Sequence, residues 1–158
     1  MPFTSTTTST SIRSMSTTTP TSIRSTSTAT TPTTTAFPTS GLLSLDCPAI
    51  NGTLEAQNVS SNRYIFEIYC GFDCSGSQGD SDQSFNEFTI DECMNRCATM
   101  NAGDGLSSCG GVVWNGNLTS ALEQGGNCYL KLGTVTLSSC DGGCPVAAAA
   151  KLVGTGEN

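Results

Sequence analysis

The sequence predicts an α+β fold, in which one helix packs across a small, disulfide-stapled antiparallel sheet after a disordered tail. Three observations lead to this class. The composition changes abruptly near residue 41, and all nine cysteines follow that point. Beyond it, segments with the two-residue period of strands flank one segment with a helical period. We therefore assign residues 1–40 to a tail, 41–144 to one domain and 145–158 to a flexible C-terminal tail.

The tail has a low-complexity composition. Residues 1–40 contain 26 Ser or Thr and no Asp, Glu, Cys or Gly, and the motif TSIRS occurs twice. Such a segment has too few apolar residues to form a core, so we expect disorder in the bare polypeptide. Ser and Thr with interspersed Pro are typical of O-glycosylated, mucin-like stalks. The alternative is an ordinary flexible tail.

The remainder of the chain is acidic. It carries four basic residues against thirteen acids, a net charge of 4 − 13 = −9. This charge argues against nucleic acids and anionic membranes as partners. No hydrophobic run is long enough to span a membrane, so we expect no membrane insertion within this chain. The amino end shows no signal-peptide core, so a secreted protein would need an export element outside the 158 residues.

The helix is the best-defined element. Thr89 is a candidate N-cap and Glu92 follows three residues later, which is the spacing of a capping box. Apolar residues and two cysteines then recur at helical spacing: Ile90, Cys93, Met94, Cys97 and Met100. Both cysteines are therefore predicted to face inward, and the NAGDG segment ends the helix.

The strands are predicted around this helix. Residues 62–72 alternate in the manner of a strand, and a loop, GSQGDSDQS, follows them. Residues 109–116 and 127–133 are predicted to be two more strands, joined through Gly125 and Gly126. Residues 134–138 add a short last strand, and the chain is expected to fray after Cys144.

The cysteines are best explained as structural disulfides. Zinc sites usually use C-x-x-C pairs and often add His, whereas this chain has no C-x-x-C and no His. Redox catalysis would favour C-x-x-C at a helix N-terminus, not an inward pair in mid-helix. We therefore predict no metal, no cofactor and an oxidising compartment. Three sequons, which begin at Asn51, Asn58 and Asn117 in predicted loops, fit a secreted protein or one at the cell surface or cell wall.

The order of these motifs resembles the PAN/Apple domain, in the form common in fungal surface proteins. The resemblance runs from about Cys47 to about Leu132. It rests on an ordered set of segments: CPAINGT, IYCGFD, TIDECMNRCATM, CGGVVW and GNCYLKL.

The resemblance implies a disulfide framework. By position, Cys93 would pair with Cys128 and Cys97 with Cys109, which would link the helix to the strands beside it. A further bridge would tie the domain ends and join Cys47 to Cys140 or Cys144, although Cys70 and Cys74 compete for partners. Because nine is odd, at least one thiol is unpaired or bonds to another chain.

The resemblance also implies a non-catalytic recognition module that binds carbohydrate or protein. The absence of His excludes Ser-His-Asp and Cys-His nucleophile systems, so we do not expect an enzyme. Aromatic residues are the candidate anchors: Trp114, for which the alternative is a core position, and Tyr129, which should point outward. The alternative function is a structural cell-wall or matrix protein, cross-linked as a disulfide-linked dimer through the odd cysteine.

Overall fold

The computed structural model describes residues 36–103, 108–140, 144 and 146–157, with only the backbone described at position 82. The described residues belong to one compact unit. Most of the predicted stalk, residues 1–35, lies outside them. The last part of the predicted tail packs on the domain, because the Phe37 ring lies 4.8 Å from the Phe88 ring. The predicted boundary at residue 41 is therefore too late.

The described part of the chain contains eight strands, two α-helices and one short 3-10 turn. The strands are β1 (Leu54–Val59), β2 (Asn62–Cys70), β3 (Phe72–Gly76), β4 (Asp80–Phe85), β5 (Cys109–Asn115), β6 (Cys128–Leu132), β7 (Val135–Ser139) and β8 (Ala147–Glu157). The helices are α1 (Ile90–Ala102) and α2 (Leu118–Ala121), and the 3-10 turn is Leu122–Gln124.

The strands form two antiparallel sheets. The larger has the order β1-β2-β8-β5-β6-β4, and β3 pairs with β7 in a two-stranded ribbon. Helix α1 packs on one face of the large sheet and the ribbon packs on the other, against β8, β5 and β6. This arrangement confirms a small, disulfide-stabilised α+β domain.

Helix α1 begins as the sequence predicts. The Thr89 hydroxyl accepts from the Glu92 N–H at 3.1 Å, and the Glu92 carboxylate accepts from the Thr89 N–H at 3.2 Å. This capping box pairs two backbone donors that the first helical turn would leave unsatisfied. The helix ends at Ala102, with Gly103 as its C-cap, and buries one stripe, which includes both cysteines: Ile90, Cys93, Met94, Cys97 and Ala98.

The prediction of a flexible tail at 145–158 is wrong for Ala147–Glu157. These residues form β8, which lies between β2 and β5 in the middle of the large sheet. Ala148 and Ala150 face the core under α1, and Ala149 faces the core under the ribbon. Small side chains suit a strand that is covered on both faces. Four successive alanines, however, show neither the alternation nor the β-branched residues by which a strand is predicted from sequence.

Three further strands, β1, β3 and β4, were not predicted as separate strands. Part of the predicted loop GSQGDSDQS forms the end of β3 and most of β4, which pairs with β6 at the sheet edge. Its polar sequence, DSDQSF, resembles a loop because an edge strand needs few apolar residues. Strand β1 was also missed, and it places Asn58 in a strand although its sequon was assigned to a loop.

Four disulfides are present in the described residues. Two of them are the pairs implied by the family resemblance, and both lie in the core: Cys93–Cys128 and Cys97–Cys109. The other two are Cys47–Cys70 and Cys140–Cys144. The expected bridge from Cys47 to Cys140 or Cys144 is therefore wrong. The segment after Cys47 returns to the end of β2, where the Gly52 N–H donates to the Ile68 carbonyl at 2.8 Å, and this brings Cys47 to Cys70.

Candidate binding cleft

Trp114, one of the two predicted anchors, is a core residue. Its side chain is 0% exposed, on the face of β5 that lies under α1, and its Nε1–H donates to the Glu87 carbonyl at 3.0 Å. Alternation along β5 places Trp114 with Val112 in this core and Val113 on the opposite face. A buried indole offers no surface to a ligand, so the predicted binding role of Trp114 is wrong.

Tyr129, the other predicted anchor, lies on the opposite face of the sheet. Its neighbours Cys128 and Leu130 are buried under α1, so the tyrosine ring points away from the helix. The ring is half-buried, and its hydroxyl bonds to the carbonyls of Ala121 and Gly126. Burial raises the pKa of Tyr129, so the hydroxyl remains a donor at neutral pH. These bonds hold the ring in one orientation.

The Tyr129 ring lines a cleft of about 410 Å³ between the ribbon and the large sheet. This volume falls within the range of roughly 300–1,000 Å³ that small-molecule sites occupy. Polar side chains from separate elements converge on it: Asp73 from β3, Asp80 from β4, Asn115 from β5, Lys131 from β6, and Gln124. Because these residues are far apart in the chain, only the sheet topology brings them together.

The charges in the cleft are partly paired. The Lys131 ammonium lies 2.7 Å from an Asp80 carboxylate oxygen and 5.8 Å from the centre of the Tyr129 ring. The Lys131 side chain is only 10% exposed, so its aliphatic part forms the floor while its charge meets Asp80. Asp73 accepts from the Cys74 N–H at 2.6 Å. Two carboxylates against one ammonium leave this cleft with a net charge of 1 − 2 = −1.

The walls of the cleft are braced by neighbouring groups. The half-buried Phe72 ring also lines it and packs against Tyr69, with ring centres 6.0 Å apart. The Cys140–Cys144 disulfide contributes to the rim. Sequence reasoning identified Tyr129 by its alternation but missed Phe72, Asp73 and Asp80. It placed Phe72 at the end of one strand, left Asp73 outside any predicted element and assigned Asp80 to a loop.

The odd cysteine is Cys74, and it lies beneath the ribbon. It is 3% exposed, and its thiol donates to the Val112 carbonyl at 3.6 Å. Burial raises the pKa of this thiol to about 12. A thiol that is both buried and protonated is not available to a second chain. The folded domain therefore cannot form the disulfide-linked dimer that was expected through the odd cysteine.

The three sequon asparagines lie in different surroundings. Asn51 is exposed in a turn, where its side-chain oxygen accepts from the Cys70 N–H at 2.9 Å. Asn58 is exposed in β1. Asn117 is a half-buried residue that precedes α2, and its backbone bridges Leu42.

The same residues bear on metal binding and on membrane insertion. Among those that the structure describes, no three His, Cys, Asp or Glu side chains lie close enough to hold a metal ion. No helix in the described ranges is long and apolar enough to cross a membrane.

Comparison of the chain with family models, with curated protein sequences and with solved structures finds no match.

Proposed function

We propose that this domain is a non-catalytic extracellular recognition module of the PAN/Apple type, which binds carbohydrate in the cleft beside Tyr129. The observation that carries the proposal is the fixed, half-exposed tyrosine ring among converging polar side chains. Aromatic rings bury the apolar face of a sugar, whereas carboxylates and amides pair with its hydroxyl groups.

The chemistry of the cleft favours a neutral or cationic sugar over an acidic one. Asp73 and Asp80 offer acceptors to hydroxyl groups, and Asn115 and Gln124 offer both donors and acceptors. The Lys131 ammonium is already paired with Asp80, so an incoming carboxylate or sulfate would meet excess negative charge. We therefore place uronic acids and sulfated sugars among the excluded ligands.

The disulfides support an extracellular location. Four of them lie in the described residues, and such bonds persist in oxidising compartments. Residues 1–35 have the composition of an O-glycosylated stalk, which would hold the domain away from a surface. In this proposal the stalk is a spacer and the cleft is the binding site.

The alternative is a structural wall or matrix protein. A cross-link through the odd cysteine is the feature that distinguishes it, and the burial of Cys74 removes that feature from the folded domain. A protein ligand is the other alternative, and it would be expected to use a larger surface than this cleft. We therefore favour carbohydrate.

A glycan array with the purified, oxidised protein tests the proposal. We expect binding of neutral or amino sugars, weakened by at least about fivefold in Tyr129→Ala, because stacking contributes on the order of 1 kcal/mol or more. Tyr129→Phe retains the ring but loses the hydroxyl bonds that fix it, so it should bind more weakly than the wild type and more tightly than Tyr129→Ala. Asp73→Asn keeps the acceptor for the Cys74 N–H and tests the carboxylate charge.

The matched control is Phe88→Ala, which removes an aromatic ring near the start of α1. Phe88 is 37% exposed and does not line the cleft, so sugar binding should be unchanged. No binding to any glycan on the array, or binding that Tyr129→Ala leaves unchanged, would overturn the proposed site.

A further inference from the structure

Among the residues that the structure describes, one half of the large sheet has an open face on the side away from α1. The ribbon packs there against β8, β5 and β6, whereas β1 and the adjoining part of β2 lie toward the other end of the strand order. We call the group Leu54, Ala56, Asn58, Arg63, Ile65, Glu67 and Gly154 the open sheet face, in which the charged Arg63 lies opposite Asn58 and the charged Glu67 lies opposite Leu54. Residues opposite each other in the register share one side of the sheet, and these are paired as Ala56 with Ile65 and Ile65 with Gly154.

Contacts with the helix fix the direction of these side chains. Gln57 donates to the Asp91 carboxylate of α1 at 3.0 Å, so Gln57 faces the helix. Alternation along β1 therefore turns Ala56 and Asn58 to the opposite side. On β2, Tyr64 and Phe66 are buried under α1, which turns Ile65, between them, to the same side as Asn58.

The open sheet face combines two hazards for a secreted protein. Leu54 is 63% exposed, and Ala56 and Ile65 are half-buried, so apolar surface meets solvent. Strand β1 is also a sheet edge, and its sequence LEAQNV contains no Lys and no Pro. A free edge beside apolar side chains favours pairing with a second chain unless something covers it.

A sequon lies on this face. Asn58-Val59-Ser60 ends β1, the Asn58 side chain is exposed, and Ser60 has a φ of 57° in the turn that leads into β2. Ala56 precedes Asn58 by two residues on the same side, and Ile65 is its diagonal neighbour across the strand pair. A group attached to Asn58 therefore starts beside the apolar part of the face.

We propose that Asn58 carries an N-linked glycan and that this glycan covers the open sheet face and the β1 edge. The donor is a lipid-linked oligosaccharide diphosphate. A bond forms between the Asn58 side-chain nitrogen and the anomeric carbon of the first sugar. The bond from that carbon to the diphosphate oxygen breaks, and the amide proton leaves with the diphosphate. The glycan adds bulk and hydration at the edge, which prevents a second strand from pairing there.

Expression of the full chain behind a cleavable secretion signal in eukaryotic cells tests the proposal without reference to any ligand. Glycosidase release in ¹⁸O-water followed by peptide mass spectrometry reports whether Asn58 is modified. Two variants remove the sequon in different ways: Asn58→Gln and Ser60→Asn. Asparagine tolerates the positive φ at position 60, so Ser60→Asn retains the turn while it destroys the sequon. Thr119→Ala is the control, because it keeps the sequon at Asn58 and removes the sequon at Asn117, at an exposed position elsewhere.

We expect a glycan on Asn58 in the wild type and in Thr119→Ala. Both sequon-removing variants should raise the dimer fraction in light scattering and the binding of a hydrophobic dye by about twofold or more, because apolar surface is uncovered. Thr119→Ala should match the wild type in both measurements. An unmodified Asn58 would overturn the proposal, and so would equal self-association in the presence and absence of the glycan.

Discussion

The Trp114 Nε1–H donates to the Glu87 carbonyl at 3.0 Å, and this bond ties β5 to the segment that leads into α1. Asn127 holds the same residue from the other side. Its amide nitrogen donates to the Glu87 carbonyl at 2.8 Å, and its oxygen accepts from the Glu87 N–H at 2.8 Å. Trp114 and Asn127 are 0% exposed, so these hydrogen bonds are shielded from water. They fix the position at which the helix begins.

Trp114→Phe should destabilise the domain by about 2 kcal/mol, because the core loses volume and the Glu87 carbonyl loses one of its two donors. Urea unfolding at neutral pH measures this change in the free energy of unfolding. Leu54→Ala, at an exposed apolar position, should change it by less than about 0.5 kcal/mol. Sugar binding by folded Trp114→Phe should equal that of the wild type, and a selective loss of binding would contradict the core assignment.

Asn127→Ala should be at least as damaging, by about 2–3 kcal/mol, although the side chain is smaller than that of Trp114. The substitution leaves the buried Glu87 N–H without an acceptor, and an unsatisfied buried donor is costly. Asn95→Ala is the matched control, because Asn95 is exposed on α1 and makes only a 3.4 Å contact with Gln57. The same urea titration should find Asn95→Ala neutral or slightly stabilising, and equal effects at both positions would contradict the buried bond.

Local signals explain why α1 could be predicted and β8 could not. The capping box and the apolar stripe of α1 lie within a few residues of one another, so the sequence contains the complete signal. Strand β8 is a strand only because β2 and β5 flank it and two layers cover it. The neighbouring strand comes very close to it: a Cβ built on Gly111 of β5 would lie 2.6 Å from the Ala150 carbonyl oxygen. The four alanines at the start of β8 do not by themselves indicate that β2 and β5 will flank them.

The cleft illustrates the same division. Alternation along β6 was enough to predict that Tyr129 points away from the helix, because its neighbours Cys128 and Leu130 are buried on the helix side. The acids beside it come from β3 and β4, and the pairing of β3 with β7 and of β4 with β6 is long-range. The position of Tyr129 could therefore be predicted from the sequence, whereas the other residues of the cleft are brought together only by the fold.

The disulfides should differ in their contribution to stability. In the chain-entropy account, a bridge stabilises by restricting the unfolded chain, and longer loops contribute more. Cys93–Cys128 spans 35 residues and Cys140–Cys144 spans 4. Replacement of both cysteines by alanine should therefore cost about 4 kcal/mol for the first pair and about 2 kcal/mol for the second. Loss of burial adds to the first cost, because both of its cysteines are in the core.

Urea midpoints of the two double variants, at equal denaturant slope, test this order. Sugar binding discriminates further, because Cys140–Cys144 lies at the rim of the cleft and Cys93–Cys128 lies under the helix. A short-loop variant that unfolds more readily than the long-loop variant would contradict the entropic ranking.

Cys74 should make the domain less stable in alkaline solution. Burial raises the pKa of its thiol in the folded protein from the ordinary 9.0 to about 12, so the unfolded chain loses its proton first as the pH rises. The stability that this difference contributes is therefore fully present below about pH 9 and is lost between pH 9 and 12. Over that window the free energy of unfolding should fall by about 1.4 kcal/mol per pH unit from this group.

Cys74→Ser isolates the effect of the thiol, because the serine hydroxyl does not titrate in this range and can still donate to the Val112 carbonyl. The difference in unfolding free energy between wild type and Cys74→Ser should be constant from pH 7 to 8 and should narrow steadily above pH 9. A thiol reagent at pH 8 should label no cysteine in the folded wild type and one cysteine per chain in guanidinium. Rapid labelling of the folded protein, or a difference that does not vary with pH, would show that Cys74 is accessible and would restore the cross-linking alternative.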